Sequence, residues 1–559
     1  MKYIYRHLLI LTSSLVLASC IQEVQPVGGS VTQAQVSESE FALKAMINAL
    51  PSSMFATGTG GYASGYGDHT DFGVPGIGLR LEHMLEDIAT MADNPYYNRF
   101  YAYDMNQAMG YQYTYCSYFW DMYYTWIRLA NDVILSIAPV VEAGTEDAEL
   151  PHILGQAYAY RAWCYLDLAR LFEPKQNTYA PVPADILGLT VPIVDEYTTI
   201  DGAKRNPRVE REKMYNFIFS DLALAEKYLN PARTSYSTPT IMAVYGLYAR
   251  AYIELGYAED PAFPERKMFE KAAEYARKVI DESGKTPLTA AQWEDPVNGF
   301  NNGASNNAWI WGLKVSSENL NNLLSFISHI SAEAQWGYAR YAQFGVSKLL
   351  YDSISDDDFR KRSWLGPDKE KWSQLKFAGS DVDREDFLNG MPAAKPYQAI
   401  KFRPAQGECS DFNVGNAGDY CMMRIEEMHF IEIEATARLD LSEGVKMLTD
   451  FMQKYRYKSY NRINSSADWN AFKTELLLQK RIEFWGEGIL LYDYKRLDMG
   501  INRSYAGTNH PAVFQLATRG RSPQWNICIT RAEFQSNTLI NDDNNNPDPS
   551  DKIPTSLNE

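Results

Sequence analysis

The chain has 559 residues, of which 45% are hydrophobic, and a formal net charge of −17 at pH 7. This length is enough for one large domain or about three average ones, and so acidic a chain is not expected to bind nucleic acid or an anionic membrane surface. Aromatic residues make up 13% of the chain, which suits either wet helix interfaces or a surface that stacks on a ligand.

The first residues have the pattern of a secretory signal peptide. A short positive segment precedes an apolar run over residues 8–17, and Leu17-Ala18-Ser19-Cys20 completes it. The run is too short to span a bilayer, which requires about 20 apolar residues. A cysteine directly after small residues resembles a bacterial lipobox, which implies that residues 1–19 are removed and Cys20 is lipidated. The alternative is an ordinary signal peptide in which this cysteine is incidental.

No other segment approaches 18 uncharged apolar residues, so we expect a protein that is anchored to a membrane by acyl chains and does not span it. Composition divides the chain into four regions. These are the signal peptide over 1–19, a flexible tether over 20–36, a helical region over 37–304, and a C-terminal region with a loop-rich insertion over 305–559.

Hydrophobic periodicity and stop signals predict a helix-rich chain. Short turns between neighbouring helices favour helical hairpins, and small residues on one face, such as Ala243 and Ala249, allow close packing. This spacing is consistent with tetratricopeptide-like units, with an irregular helical array as the alternative. The predicted helices cover 38–50, 106–139, 151–172, 209–229, 239–256, 264–283, 421–439, 442–456 and 467–486.

Two regions lack this periodicity. Residues 56–78 are glycine-rich and indicate a long irregular loop, a kind of segment that is often functional. Residues 285–420 are rich in Gly, Asn, Pro and Asp, with a β-like run over 308–315. The last 15 or so residues are rich in Asn, Asp and Pro, which predicts disorder.

The cysteines give no sign of a metal site. Cys116 and Cys164 lie in helical, aromatic-rich stretches and are expected to pack in the core. Cys409 and Cys421 flank a polar loop and form a possible disulfide in a non-cytosolic compartment, whereas Cys528 has no evident mate. No Cys/His spacing indicates zinc, so neither a metal nor a cofactor is expected.

Known catalytic motifs are missing from the sequence. It contains no HExxH, GxSxG or Walker A pattern, and no GxGxxG pattern after a predicted strand. A glycosidase-like pair of catalytic carboxylates stays open as an alternative. The sequence singles out no such pair, because 70 acidic residues generate pairs by chance.

Aromatic residues interleaved with Asp, Asn and Arg in loop-like regions point to sugar recognition. A sugar ring presents an apolar C–H face on which an aromatic ring stacks, and its hydroxyls bond to carboxylates, amides and guanidinium groups. Trp309 and Trp311 alternate in a β-like run, so at least one of them is expected in the core. The candidate ligand-binding residues are Asp87, Asp93, Tyr96, Tyr97, Asn301, Trp309, Trp311, Trp336, Tyr338, Arg340 and Tyr341.

Several motifs together resemble the SusD/RagB family, the outer-membrane nutrient-binding lipoproteins of Bacteroidetes-type bacteria. They are the lipobox, Asn206-Pro207-Arg208, the helix that starts at Arg424-Ile-Glu426, and the block Lys480-Arg481-Ile482-Glu483 with its continuation to Arg496. The resemblance extends over essentially the whole chain.

The resemblance implies a mainly α fold with four tetratricopeptide-like helix pairs packed against a loop-rich, ligand-facing region. It also implies a non-enzymatic, cell-surface protein that binds an oligosaccharide or polysaccharide and delivers it to a TonB-dependent SusC-like transporter in the outer membrane. Peptide or another nutrient is the alternative ligand, and a lipid-anchored glycoside hydrolase is the alternative class. The block residues are expected to form buried ion pairs between helices, namely Arg481, Glu483, Glu487, Asp493 and Arg496.

Overall fold

The computed structural model describes residues 39–56, 71–90, 109–112, 114–319, 324–340, 344–391, 393–552 and 554. The lipobox with Cys20, the tether and the glycine-rich segment over 57–70 lie outside these residues. In the part of the chain that the structure describes, no helix combines the length and apolar character needed to span a membrane.

Helices dominate the described residues, so the predicted mainly α fold class is confirmed. The helices of ten or more residues are α1 (Val74–His83), α2 (Thr114–Glu142), α3 (Glu149–Phe172), α4 (Arg211–Tyr228), α5 (Ile241–Gly256), α6 (Glu265–Glu282), α7 (Ile425–Leu439), α8 (Leu441–Tyr455) and α9 (Trp469–Phe484). Shorter helices are Glu40–Met46, Ala49–Ser53, Ile200–Ala203, Ala290–Trp293, Phe326–Ile330, Lys348–Ser353, Asp381–Asn389, Phe412–Gly415, Leu490–Arg496 and Arg531–Ser536.

Most predicted helix boundaries agree with the structure to within two residues because local capping sets them. The Thr240 side chain accepts from the backbone of Ala243 at the start of α5, and Asp468 does the same for α9. Three predictions need correction. The helix predicted over 38–50 is two short helices, the one predicted over 106–139 is Thr114–Glu142, and the one predicted over 421–439 begins as a strand before α7.

The long helices form one continuous array. Helix α3 packs between α2 and α4, α5 packs on α6, and α6 packs on α7 although the insertion separates them in the chain. Small residues bring the helices close together, as predicted. A Cβ atom on Gly256 of α5 would lie 2.4 Å from the ring of Phe269 in α6, so this contact requires glycine.

Two small antiparallel sheets connect the insertion to the array. Strand β1 (Ile88–Thr90) pairs with β3 (Phe344–Val346), with Ile88 opposite Val346. Strand β2 (Trp309–Leu313) pairs with β4 (Tyr420–Arg424), which leads directly into α7. Both pairings join residues more than 100 positions apart. The β2–β4 pair joins a segment near the start of the insertion to its end, and the β1–β3 pair joins its middle to the segment after α1.

Part of the insertion has its own small core. Leu365, Trp372, Phe387, Ala394 and Ile400 form a buried apolar cluster separate from the main one. The insertion is therefore folded structure built from short elements rather than a long open loop.

The disorder predicted for the C-terminus is wrong for residues 545–552. The Asn546 amide donates to the backbone oxygens of Phe172 and Ile527, and the side-chain oxygen of Asn545 accepts from the backbone of Ile529. The two asparagine side chains satisfy buried backbone groups at the end of α3 and in the 527–529 segment. The polar residues of this segment therefore form hydrogen bonds to buried backbone groups and are part of the folded structure.

The described cysteines are all free and buried, and Cys116 and Cys164 lie in the main core as expected. Cys409 and Cys421 form no disulfide, so the possible bridge between them is absent.

Candidate functional site

The two tryptophans of strand β2 are core residues. Trp309 and Trp311 are both 0% exposed. The Trp311 ring packs edge-on against Tyr160 and Trp163 of α3, with centroid distances of 5.6 and 5.8 Å. Their prediction as ligand-stacking residues is therefore corrected: side-chain packing, including Trp311 on α3 and Trp309 on Tyr236, buries both rings, so neither is presented to a ligand.

Asp87 and Asn301 also have structural partners. The carboxylate of Asp87 is fully buried and accepts from Nε of Arg481 at 2.8 Å. The Asn301 amide donates to the carbonyl of Arg403 and accepts from its backbone N–H, at 2.8 and 2.7 Å. Both side chains are used within the fold, which corrects their prediction as ligand-binding residues.

Trp336 is buried rather than presented to solvent, which corrects the expectation from its loop-like surroundings. It is 6% exposed, and its indole N–H donates to Oδ1 of Asn416 at 2.6 Å. A Cβ atom on Gly415 would lie 2.2 Å from the indole, so the ring fills the space that this glycine leaves. A short 3₁₀ helix, Gly337–Arg340, follows Trp336 directly.

Tyr338 lies in the same buried layer. Its ring is 4.8 Å from that of His329, which is in turn 4.8 Å from Phe72. Tyr338 is 4% exposed, so its ring is not available to a ligand in this structure, contrary to prediction. We refer to Phe72, His329, Trp336, Tyr338 and Asn416 as the Trp336 layer.

Arg340 is the one predicted site residue among those described that is partly exposed. It donates through Nη2 to the backbone oxygen of Met391 at 3.0 Å and lies at the end of the 3₁₀ helix. Its guanidinium group retains other donors, since a guanidinium carries five N–H groups in total.

The remaining candidates, Asp93, Tyr96, Tyr97 and Tyr341, lie outside the described residues. The described residues that flank them are neighbours, because Thr90 pairs with Phe344 across β1 and β3. His83, at the end of α1, packs edge-on against Phe344 at 4.6 Å. The chain therefore enters the segment over 91–108 beside the point where the segment over 341–343 ends.

The block residues form buried ion pairs between elements, which confirms their predicted structural role. The carboxylate of Glu483 in α9 accepts from three arginines that come from different parts of the chain. The distances are 2.8 Å to Arg360 and Arg424 and 2.6 Å to Arg456. We call these four residues the Glu483 cluster. Burial raises the pKa of Glu483, but the three guanidinium groups outweigh it and hold that pKa well below its usual range.

Two further carboxylates of this region are tied to cations. Glu487 accepts from Arg424 and Lys401, at 2.8 and 2.7 Å. Glu434 of α7 accepts from Lys480 and Arg496, at 2.9 and 2.8 Å. Burial opposes ionisation of Glu434, but the two cations outweigh burial and lower its pKa to about 2.

The other block residues complete these contacts. Asp493 accepts from Lys480 and Arg496, and Arg481 pairs with Glu86 and Asp87 beside strand β1. Every one of the five predicted block residues therefore connects helix α9, or the turn and helix after it, to another element.

Glu82 in α1 differs from these carboxylates because it has no ion pair among the described residues. Its Oε1 accepts from the backbone of Gly488 at 2.9 Å. Burial, together with the nearby Asp87 and Glu487, raises the pKa of Glu82 to about 8. This group therefore favours the protonated form in the folded protein at neutral pH.

Within the residues that the structure describes, no three or more His, Cys, Asp or Glu side chains are grouped to hold a metal ion. Sequence reasoning missed the arginine partners of Glu483 and also a set of neutral contacts. Asn416 and Gly415 shape the Trp336 layer from 80 residues further along the chain. Neither residue carries a recognisable signal in the sequence.

Comparison with known proteins bears on both the fold and the family. A SusD-like family model, described as starch-binding and associating with the outer membrane, matches residues 78–253. A SusD-like carbohydrate binding protein from Bacteroides vulgatus ATCC 8482 is 20% identical, with a TM-score of 0.66 over 90% of this chain and 97% of that one. The chain has the SusD-like fold. This confirms the resemblance to the SusD/RagB family.

Other SusD-like structures agree. A SusD superfamily protein from Bacteroides thetaiotaomicron VPI-5482 is 18% identical, with a TM-score of 0.64 over 92% of this chain and all of that one. Surface glycan-binding protein A from Bacteroides thetaiotaomicron is 14% identical, with a TM-score of 0.63 over 91% of this chain and 99% of that one. None of the curated proteins matches the chain.

Proposed function

We propose that this SusD-like chain binds an oligosaccharide or polysaccharide at the cell surface and delivers it to a TonB-dependent, SusC-like transporter. The observation that carries the proposal is the SusD-like fold over nine-tenths of the chain. It is shared with proteins described as carbohydrate binding and surface glycan-binding. The lipobox supports attachment to the outer membrane through Cys20.

The proposed ligand face lies beside the Trp336 layer. Arg340 offers guanidinium donors there, and the segments that carry Tyr96, Tyr97 and Tyr341 are joined to described residues at β1 and β3. Aromatic rings and hydrogen-bonding side chains together suit a sugar, which has one apolar and one hydroxyl-bearing aspect. The buried Trp336 layer would support this face rather than touch the ligand.

The role is proposed as binding without catalysis. The mature chain should be titrated by calorimetry with neutral polysaccharides, including amylopectin, xylan and galactomannan, and with a mixed peptide pool. We expect binding to at least one polysaccharide with no release of reducing ends over time. Reducing ends whose release stops when one carboxylate pair is changed would contradict the proposal, as would binding to peptides alone.

Lipid attachment has its own test. Replacing Cys20 by Ala should release the folded protein from the membrane fraction, because several acyl chains give stable anchoring and a chain without them has none. Full retention of the variant on membranes that lack the transporter would show that Cys20 is not the anchor.

A further inference from the structure

A cleft in the insertion has the size and lining of a ligand site. Its volume is about 430 Å³, within the roughly 300–1,000 Å³ typical of ligand pockets. It lies between the helix Lys348–Ser353 and the 3₁₀ helix Lys369–Gln374. Among the described residues that line it, none is a candidate site residue from the sequence, so this cleft is separate from the proposed ligand face.

The aromatic part of the cleft is held rigidly. The Trp372 indole donates to the carbonyl of Gly366 at 2.7 Å. Trp364 pairs with Ala399 in an isolated β-bridge and packs edge-on against Trp485 at 5.5 Å. These contacts fix the floor of the cleft before any ligand binds, which lowers the entropy cost of binding.

Tyr351 gives the cleft a partly exposed ring. Its centroid lies 5.4 Å from that of Tyr397 and 5.0 Å from the ammonium group of Lys361. A tyrosine hydroxyl is neutral at pH 7 even at its ordinary pKa of about 10 and can donate a hydrogen bond; burial raises the pKa of Tyr351 further, to about 12. A ring with a neutral hydroxyl offers both apolar contact and hydrogen bonding to a sugar.

The cations of the cleft are already paired. Lys361 lies 2.7 Å from Asp356, and Lys371 lies 3.8 Å from Asp368. Arg362 donates through Nε to Glu294 at 2.9 Å. An anionic ligand would therefore compete with a carboxylate at each of these cations.

The remaining polar side chains among the described residues of the cleft form no ion pair; they are a carboxylate and an amide. Asp352 is exposed and forms no ion pair within the described residues, and Gln374 is exposed on the opposite wall. A free carboxylate repels an anion but accepts hydrogen bonds from hydroxyl groups. The lining thus favours a ligand rich in hydroxyl groups over an anionic one.

We propose that this cleft is a second carbohydrate site that binds a neutral saccharide segment, stacked on Tyr351 and hydrogen-bonded by Asp352 and Gln374. The proposal rests on the proposed function in that it assumes a glycan ligand. A second contact on the insertion would let one polysaccharide chain bind at two places, which raises the overall affinity through effective concentration.

Amide hydrogen exchange of the mature chain locates binding directly. The neutral probes are maltohexaose, xylohexaose and mannohexaose. The anionic probe is an oligogalacturonate, and the cationic probe is a glucosamine oligomer. We expect at least one neutral probe to slow exchange over residues 348–376. The charged probes should not slow exchange there.

Variants of the cleft residues test whether the slowed exchange comes from binding in the cleft. The Tyr351→Ala change, and separately the Asp352→Asn change combined with Gln374→Ala, should weaken the neutral probe's effect at 348–376 by at least about fivefold. The second variant alters exposed residues only and is expected to fold. Glu370→Ala, in the same 3₁₀ helix but outside the cleft lining, should leave the effect unchanged.

Each result has a distinct meaning. Slowed exchange confined to other segments would overturn the cleft proposal and leave glycan binding intact. If no probe slows exchange anywhere in the chain, both the proposed glycan binding and the cleft proposal would be overturned. A stronger effect from a charged probe over 348–376, or an effect that the lining variants do not change, would overturn the neutral-saccharide assignment.

Discussion

The Glu483 cluster and the Trp336 layer are both buried, but they are built from different chemistry. In the Glu483 cluster one carboxylate accepts from three arginines that come from separate parts of the chain. In the Trp336 layer aromatic rings pack on each other and a neutral indole N–H donates to an asparagine. The ionic cluster joins α9 to the insertion, to the end of β4 and to the end of α8, whereas the neutral layer lies next to the proposed ligand face.

This difference has an energetic consequence. A buried charge is costly without its partner. Glu483 has only the three arginines as cationic partners among the described residues, whereas each arginine also contacts a second carboxylate. A buried ring contributes through its own packing and leaves only one donor or acceptor behind when it is removed. The ionic cluster is therefore expected to be the less tolerant of the two regions.

The largest effect is expected for Glu483→Gln. The change removes the negative charge that faces three buried guanidinium groups, and breaking even one buried pair costs about 3–5 kcal/mol. We expect a loss of at least this size in the free energy of unfolding, measured by denaturant titration, or failure to fold. Glu270→Ala, which breaks an exposed pair with Arg266 in α6, is the matched control and should cost roughly 0.5 kcal/mol or less. A Glu483→Gln protein as stable as the unaltered protein would contradict the expectation that the ionic cluster is the less tolerant region.

A smaller but still large effect is expected for Trp336→Ala. Emptying a buried tryptophan site costs about 3–5 kcal/mol, and the Asn416 side chain would lose one of its donors while it keeps the Ser325 hydroxyl. Thermal melting should reveal this loss, while glycan affinity of the folded fraction should stay unchanged. Trp336→Phe keeps most of the ring and should cost less. Unchanged melting with weakened glycan binding would instead return Trp336 to the ligand face.

Sequence reasoning did well where structure is local. Helix periodicity and caps such as Thr240 and Asp468 act within a few residues, so the array could be predicted closely. The block residues became recognisable through the family resemblance, and their charges made ion pairing the natural expectation. Their individual partners, such as Arg360 and Arg456, were not predictable, because these come from other segments of the chain.

The tryptophans show where such reasoning fails. Trp336 has Gly, Tyr and Arg neighbours that fit an exposed loop equally well. Its burial depends on Gly415 and Asn416, which lie about 80 residues further along the chain. The C-terminal asparagines misled for the same reason, since their backbone partners at Phe172 and Ile527 are distant in sequence.

The smallest of the stability effects concerns pH. Because the folded-state pKa of Glu82 is raised to about 8, its contribution to stability is fully present below its unfolded pKa and is lost as pH rises through about 8. Glu82→Gln should therefore flatten the fall in unfolding free energy between pH 5 and 8. The difference between the two proteins should change by at least about 1 kcal/mol over this range, the value of one pKa unit. Parallel pH profiles would show that Glu82 is not perturbed as described.

The most direct test of the central claim compares glycan affinity with melting temperature on the same protein preparations. The claim is that Arg340 and the segments joined to β1 and β3 bind the glycan, and that the Trp336 layer itself only supports them. Tyr96→Ala combined with Tyr97→Ala should weaken binding of a polysaccharide found in the calorimetric screen by roughly 5–150-fold, with little change in melting temperature. Unchanged affinity in this double variant, together with weakened affinity in a fully folded Trp336→Phe protein, would contradict the account.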